Sequence, residues 1–281
     1  MEVPSPDPLA AADQETFRAL NTAPGSPYLG RRFAGRTCVV TGSGGGIGRA
    51  AAIRFAREGG NVVGADINSD AAEETVAQIR EEGGSIISIH PCDAADKTDC
   101  VRLIQAAVDK FGCVDVVFNN GANASFAWVT EMSDDDWEFT LNSELTSVFL
   151  LSRAAWPELI KSRGVIINTA SVSGWMGFQM LPGLAHSAAK GGVLSLTRHL
   201  AMEGRQYGIR ANSVSPGTIA TAKTRRIAAD PDWRRVQFGR AMMNRMGEPE
   251  EVAAAVAFLA SDDASYITAA DIRVDGGIGG W

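Results

Sequence analysis

The stretch Thr41-Gly-Ser-Gly-Gly-Gly-Ile-Gly48 constrains this chain more than any other. It follows the short apolar run Cys38-Val39-Val40 and leads into an alanine-rich amphipathic run from Arg49 to Glu58. That order predicts strand, glycine turn and helix. In such a turn Gly42 allows the reversal, Gly46 lets backbone come close to a pyrophosphate, and Gly48 lets the helix pack on the strand. The free N–H groups and positive end of the helix then face the phosphates. A glycine-rich turn alone serves many folds. Here a second apolar run, Asn61 to Ala65, ends in Asp66. That acid stands at the distance downstream expected of a carboxylate holding a ribose 2′-hydroxyl, and the two parts in register predict a dinucleotide site.

From Arg36 onward short apolar runs alternate with helical patterns. The apolar runs fall at 37–41, 61–66, 85–90, 114–119, 164–170, 209–214 and 270–274, and the helical stretches at 47–58, 69–82, 96–111, 134–162, 187–206 and 249–260. Near-continuous apolar strands alternating with helices imply a parallel sheet covered on both faces, with ligand at the carboxyl ends of the strands. The 281 residues, 45% hydrophobic and 21% charged, suit one α/β domain at 35–281. Residues 1–34 differ: Pro4, Pro6, Pro8, Pro24 and Pro27 punctuate a polar extension, read as a loose tail or an arm packed on another subunit. The net charge of −7 argues against nucleic acid as a partner. No apolar run approaches the roughly 18 residues needed to span a membrane. Without a basic-then-apolar leader the chain is expected in the cytoplasm. Cys38, Cys92, Cys100 and Cys113 form no Cys-x-x-Cys pair, so reduced structural thiols and no metal are expected.

Several strand ends carry polar groups. Asp93 follows the third strand, placed to accept from an adenine amino group or to cap the helix starting near Asp96. Asn119-Asn120-Gly121-Ala122 follows the fourth and makes a sharp turn. Asn142 lies inside the long helical stretch, where asparagine carries a mild cost. Ser171 ends the run Val165 to Ala170, and His186 and Lys190 share one face of the next helix, one turn apart.

Over residues 35 to 277 these features resemble the classical short-chain dehydrogenases/reductases. The resemblance rests on Thr41-Gly-x-x-x-Gly-Ile-Gly48, Asp66, Asp93, the Asn119–Ala122 turn, Asn142, Ser171, Lys190, Pro216-Gly217 and the ending Val274-Asp-Gly-Gly277. It implies a single Rossmann-type, doubly wound parallel sheet of about seven strands, assembled as a homo-oligomer, a tetramer or dimer. Position by position, it implies that Gly42, Gly46, Ile47 and Gly48 hold the pyrophosphate. Asp66 would favour NAD over NADP, Asp93 would touch adenine, and Asn119 and Gly121 would flank the adenosine ribose. Ile219 and Thr221, after Pro216-Gly217, would meet the nicotinamide carboxamide. Asn142 would support a proton-relay water, Ser171 would hold the substrate oxygen, and Lys190 the nicotinamide ribose.

The sequence departs from that pattern in two places. Gly121-Ala122 inverts the family's usual Ala-Gly. The family's acid/base tyrosine, four residues before the lysine, is His186 here; the longer gap from Ser171 makes Ser173 a rival for the serine role. Free tyrosine titrates near pH ~10 and free histidine near ~6.5, so imidazole can carry a proton at neutral pH without help. Being shorter than phenol, it reaches a different point. With Lys190 a turn away it is expected to serve as base more than acid, which favours alcohol oxidation. An apolar or aromatic pocket for a small-molecule substrate is expected from Phe126, Trp128, Trp175, Met176, Phe178, Met180 and Leu181. A lid at about 218–245 carries Lys223, Arg225, Arg226, Arg234, Arg235 and Arg240, with Trp233 and Phe238 between them; this run reads as a solvated helix face or as a partner for a carboxylate or phosphate. The favoured function is NAD-dependent interconversion of an alcohol and a ketone on a hydrophobic, cyclic or aromatic small molecule. The alternatives are an enoyl- or dienoyl-thioester reductase, a non-redox lyase, isomerase or cyclase, and an NAD-binding protein with impaired catalysis.

Overall fold

The computed structural model describes residues 30–179 and 181–280. The expectations for residues 1–29 and for Met180 lie outside the described residues, as does that for the Phe238 side chain.

Short strands of four to seven residues and amphipathic helices alternate along the chain. They run β1 (Thr37–Thr41), α1 (Gly46–Arg57), β2 (Asn61–Ala65), α2 (Ser69–Glu81), β3 (Ser85–Ile89), α3 (Lys97–Phe111) and β4 (Val116–Asn119). The second half runs α4 (Asp134–Leu141), a π-helical turn (Asn142–Thr146), α5 (Ser147–Ser162), β5 (Val165–Thr169), α6 (Leu184–Gly204) and β6 (Arg210–Pro216). Two short lid helices, α7 (Ala222–Ile227) and α8 (Pro231–Phe238), precede α9 (Pro249–Ala260) and β7 (Asp271–Val274). The seven strands form one parallel sheet in the order β3-β2-β1-β4-β5-β6-β7. The order reverses between β1 and β4, and a crevice opens beyond the carboxyl ends of strands at such a point. The expected Rossmann-type doubly wound sheet is the architecture found.

Strand alternation divides the core into two layers. Val40, Val62, Val116, Phe118, Ile167 and Val214 face α1, α2 and α9. Val39, Val63, Val117, Ile166 and Ala211 face α3, α5 and α6. Both faces are dry, which is why the strands read as unbroken apolar runs instead of alternating ones. Phe118 is fully buried, and its truncation to alanine would cost about 3–5 kcal/mol. Phe33 also joins this core, edge-on to Phe55 at 4.8 Å, and its neighbour Arg32 pairs with the buried Glu58. Packing against the domain thus begins before residue 35.

The helical pattern at 134–162 is one axis interrupted. At Asn142–Thr146 the Ser147 amide donates to the Asn142 carbonyl, five residues back. The lid stretch, read from sequence as a basic run on a solvated helix face, forms α7 and α8, capped by the side chains of Thr221 and Asp230. No helix among the described residues is long and apolar enough to cross a membrane.

Candidate active site

The glycine turn joins β1 to α1 with two left-handed backbones, Gly42 at φ +66° and Gly46 at φ +50°, where a side chain would be strained. A Cβ at Gly48 would run into the carbonyl of Gly42, so only glycine lets α1 lie this close to the strand. The start of α1 differs from that of α3. Asp96 caps α3 by accepting from the amides of Thr98 (2.7 Å) and Asp99 (3.0 Å). The residue before α1 is Gly45, which offers no side-chain cap, and the first turn of α1 holds no acid. Its first N–H groups are left for an anion from outside the helix.

These groups open on a cleft of about 470 Å³ lined by Gly42, Gly46, Ile47, Asp66, Asp93 and Gly121, among others. Gly45 faces open space, so bare backbone lies where a pyrophosphate would pass. Asp66, at the end of β2, accepts from the Gly44 amide (2.8 Å) and the Asn68 amide (2.8 Å), which fixes its carboxylate at the rim. Asp93 accepts from the Ala95 amide while Asp96 caps α3, so Asp93 is not the helix cap. The cleft fits a dinucleotide: unpaired amides for phosphates, a carboxylate at ribose distance in sequence, and glycines where side chains would intrude.

The expectations for Asn119, Gly48 and Pro216 are corrected. Asn119 is buried, donating to Asn168 on β5 (2.8 Å) and Ser152 on α5 (3.2 Å), and does not line the cleft. As the last residue of a buried strand it points into the sheet-helix layer, and the residue that lines the cleft is Asn120. The Asn120 and Gly121 amides both donate to Thr41 Oγ1 at 2.9 Å, tying the β4 turn to the glycine turn. Gly48 and Pro216 also line neither cavity.

A second cavity of about 560 Å³ adjoins the first, sharing Ala122, Asn123, Thr221 and Lys223 with it. Its lining includes Ser171, Ser173, His186, Gly217 and Ile219. Apolar walls come from Phe126, Phe178 and Leu181, as expected, and from Ile227 and Trp233 of the lid helices. Trp128, Trp175 and Met176 are not in that wall; the Trp175 indole donates to Asp271 at 3.0 Å. Ser171 and Ser173 are linked, the Ser173 amide donating to Ser171 Oγ (3.1 Å). Thr221 caps α7 and lines both cavities.

Glu144 and His186 line this cavity, and the buried Lys190 approaches Glu144 without lining either cavity. His186 Nδ1 lies 2.7 Å from Glu144 Oε2, and Lys190 Nζ lies 3.8 Å from Glu144 Oε1. The Lys190 ammonium also donates to the Thr169 carbonyl at 2.9 Å. Burial pulls the Lys190 ammonium below the ordinary lysine value, and the Glu144 carboxylate partly offsets this. Phe126 packs on the imidazole with centroids 5.6 Å apart, and Lys223 Nζ sits 5.0 Å over the same phenyl ring.

The resemblance points to Asn142 on this helix, whereas the residue that lines the cavity is Glu144. The structure leaves Asn142 exposed and outside both cavities, so its expected relay role is corrected. The buried stripe of this helix runs Thr140, Glu144, Ser147, Val148, Leu151, Ala155 and Leu159. Asn142 is two residues off that stripe, on roughly the opposite side of a 3.6-residue helix. Phasing the polar residues against the apolar ones would have found Glu144. Among the described residues no group of three or more His, Cys, Asp or Glu could hold a metal ion, and the cysteines are free.

Comparison with known proteins agrees with this geometry. A family model described as enoyl-(acyl carrier protein) reductase matches residues 42–279. The chain is 40% identical to meso-2,3-butanediol dehydrogenase of Serratia marcescens, over 88% of this chain and 95% of that protein. It is 36% identical to cyclohexanol dehydrogenase of an Acinetobacter species, over 88% and 96%. A solved 7α-hydroxysteroid dehydrogenase, complexed with NADH and 7-oxo glycochenodeoxycholic acid, superposes with a TM-score of 0.83 at 29% identity, covering 88% of this chain and 95% of that one.

Proposed function

The chain belongs to the classical short-chain dehydrogenase/reductase family, and from that premise we propose that it is an NAD-dependent oxidoreductase interconverting an alcohol and a ketone on a hydrophobic, cyclic or aromatic small molecule. The family uses NAD(P), which supplies the hydride acceptor when bound. The observation that carries the reading is the shared cavity: His186 and Ser171 open on one apolar chamber that adjoins the dinucleotide cleft through Asn123 and Thr221.

In this reading Ser171 Oγ holds the substrate oxygen and His186 Nε2 exchanges its proton. Among the described residues His186 Nε2 has no hydrogen-bond partner, so it is free for that exchange. Phe126, Phe178, Leu181, Ile227 and Trp233 exclude water and favour a ring over a charged chain. The relatives named for cyclohexanol and for a hydroxysteroid support a cyclic alcohol. Asp66 favours NAD, because its carboxylate would repel a 2′-phosphate. The lid cations give less support to a thioester substrate: Arg225 pairs with Glu248 at 3.1 Å and Arg235 with Asp232 at 3.0 Å. Exposed Phe139, Phe149 and Met202 on α4, α5 and α6 support a homo-oligomer, which light scattering tests.

The test is a turnover screen of cyclic and aromatic alcohols with NAD between pH 6 and 9, run on the wild type and His186→Ala. Loss of an acid/base group lowers kcat by about 10²–10⁴-fold. Full turnover in His186→Ala would remove histidine from the chemistry. Tighter binding of NADPH than NADH, followed by fluorescence, would overturn the assignment of Asp66.

A further inference from the structure

We propose that Glu144 is a positioning residue for the proton transfer, acting with His186 as a carboxylate–imidazole pair. The catalytic part of this inference rests on the reading of His186 given above; the structural part does not.

Glu144 is 5% exposed, and a carboxylate buried that far needs partners. Its two candidates are unequal. The contact to His186 Nδ1, at 2.7 Å, is a hydrogen bond. The contact to Lys190 Nζ, at 3.8 Å, is an ion pair only, and that ammonium has a nearer partner in the Thr169 carbonyl. The carboxylate therefore holds the imidazole first and balances the lysine second.

An ionised carboxylate can only accept, so the proton between the two groups sits on Nδ1. In the uncharged ring the lone pair is then on Nε2, the other end of the imidazole. Phe126 limits the ring from another side. A histidine standing where relatives carry a longer phenol would otherwise be free to choose its tautomer and rotamer. The π-helical turn at Asn142–Thr146 is the local device that holds Glu144 on the buried stripe, one element away from His186.

In alcohol oxidation the substrate O–H bond breaks and its proton joins Nε2. The C–H bond breaks with its electron pair going to the nicotinamide, and the C=O bond forms. The imidazolium left behind stands against the Glu144 carboxylate, which stabilises the charge as it develops. Lys190 limits how negative the pocket is before that moment. In the reverse direction the same pair delivers the proton.

The experiment compares Glu144→Gln and Glu144→Leu with the wild type, His186→Ala and the His186→Ala/Glu144→Leu double variant. Three quantities are read: kcat on the best alcohol of the screen, the NADH Kd, and ¹⁵N signals of the imidazole in cofactor-free protein. The chain has 3 histidines, so the ring signals are assignable by difference from His186→Ala. Glu144→Leu should lower kcat by about 10²-fold, and leave the NADH Kd within about twofold. Glu144→Gln, which keeps an acceptor but not the charge, should fall between. The double variant should be no slower than His186→Ala alone, because parts of one unit are not additive. The wild-type ring should show the Nδ1–H tautomer when uncharged, and Glu144→Leu should lose it. A weakened NADH Kd with kcat kept would assign Glu144 to Lys190 and overturn the pair, as would an unchanged tautomer in Glu144→Leu or losses that multiply in the double variant. If His186→Ala kept full turnover, the functional reading would fail, and the tautomer measurement would still decide whether the pair exists.

Discussion

In the dinucleotide cleft most of the contacts on offer come from the main chain, with the Asp66 and Asp93 carboxylates at the rim. The uncapped start of α1, the left-handed Gly42 and Gly46, and the amides tied to Thr41 Oγ1 are all backbone features. In the corner where Glu144, His186 and Lys190 meet, the chemistry lies with side chains, and the Thr169 carbonyl is the main-chain group that takes part, as an acceptor from Lys190. The first region depends on glycine being where a Cβ cannot fit, so its sequence is rigid. The second depends only on which groups face one another. His186 stands there with its Nδ1 2.7 Å from the inward carboxylate of Glu144. A backbone site tolerates no exchange of parts.

The largest expected effect tests the rigid half. Gly48→Ala adds one methyl group against the Gly42 carbonyl and, at 2.7 Å, the Asn120 side-chain Nδ2. Overpacking of this kind costs about 1–3 kcal/mol. A Tm lower by roughly 5 °C, measured by scanning calorimetry, is expected, with loss of NADH fluorescence binding. A variant that kept both would show that α1 can move off the strand and that the backbone site is not rigid.

A smaller effect is expected at Asp66, the side chain on which the proposed preference for NAD rests. Asp66→Ser removes a negative charge from the cleft rim and keeps a short polar group near the Gly44 amide. NADPH should bind about tenfold more tightly than to wild type, a change of about 1.4 kcal/mol. NADH should lose affinity at the same time. Equal movement of both cofactors would place the 2′ position away from Asp66.

The same contrast explains what could be read before the structure. The sheet, its order and the cleft follow from glycine spacing and from apolar runs, which leave their mark on consecutive residues. Gly42, Gly46, Ile47, Asp66, Asp93 and Gly121 were all placed that way, and all line the cleft. Asn119 was off by one residue, because strand alternation sends neighbours to opposite sides. Glu144 left no mark in a linear motif. Its role depends on the phase of a helix, on a π-helical turn inside it, and on α6 bringing His186 alongside. The lid was legible as a helical, basic stretch, but not its inward face, since the lining residues Thr224, Ile227 and Trp233 are interleaved with exposed arginines.

The smallest effect is the sharpest check on the side-chain half. Asn142 has the residue type that the family resemblance calls for, while Glu144 has the position. Asn142→Ala removes an exposed amide at the junction of α4 and the π-helical turn, outside both cavities. Alanine is the better helix former, by roughly half a kcal/mol, so stability should hold or rise slightly. Turnover should stay within about twofold of wild type, as for surface changes remote from the chemistry. If Asn142→Ala lost turnover on the scale expected of Glu144→Leu, the helix phase would have to differ in the working enzyme, turning Asn142 inward and Glu144 away from the imidazole. Paired measurement of the two variants thus decides whether residue type or residue position governs this corner.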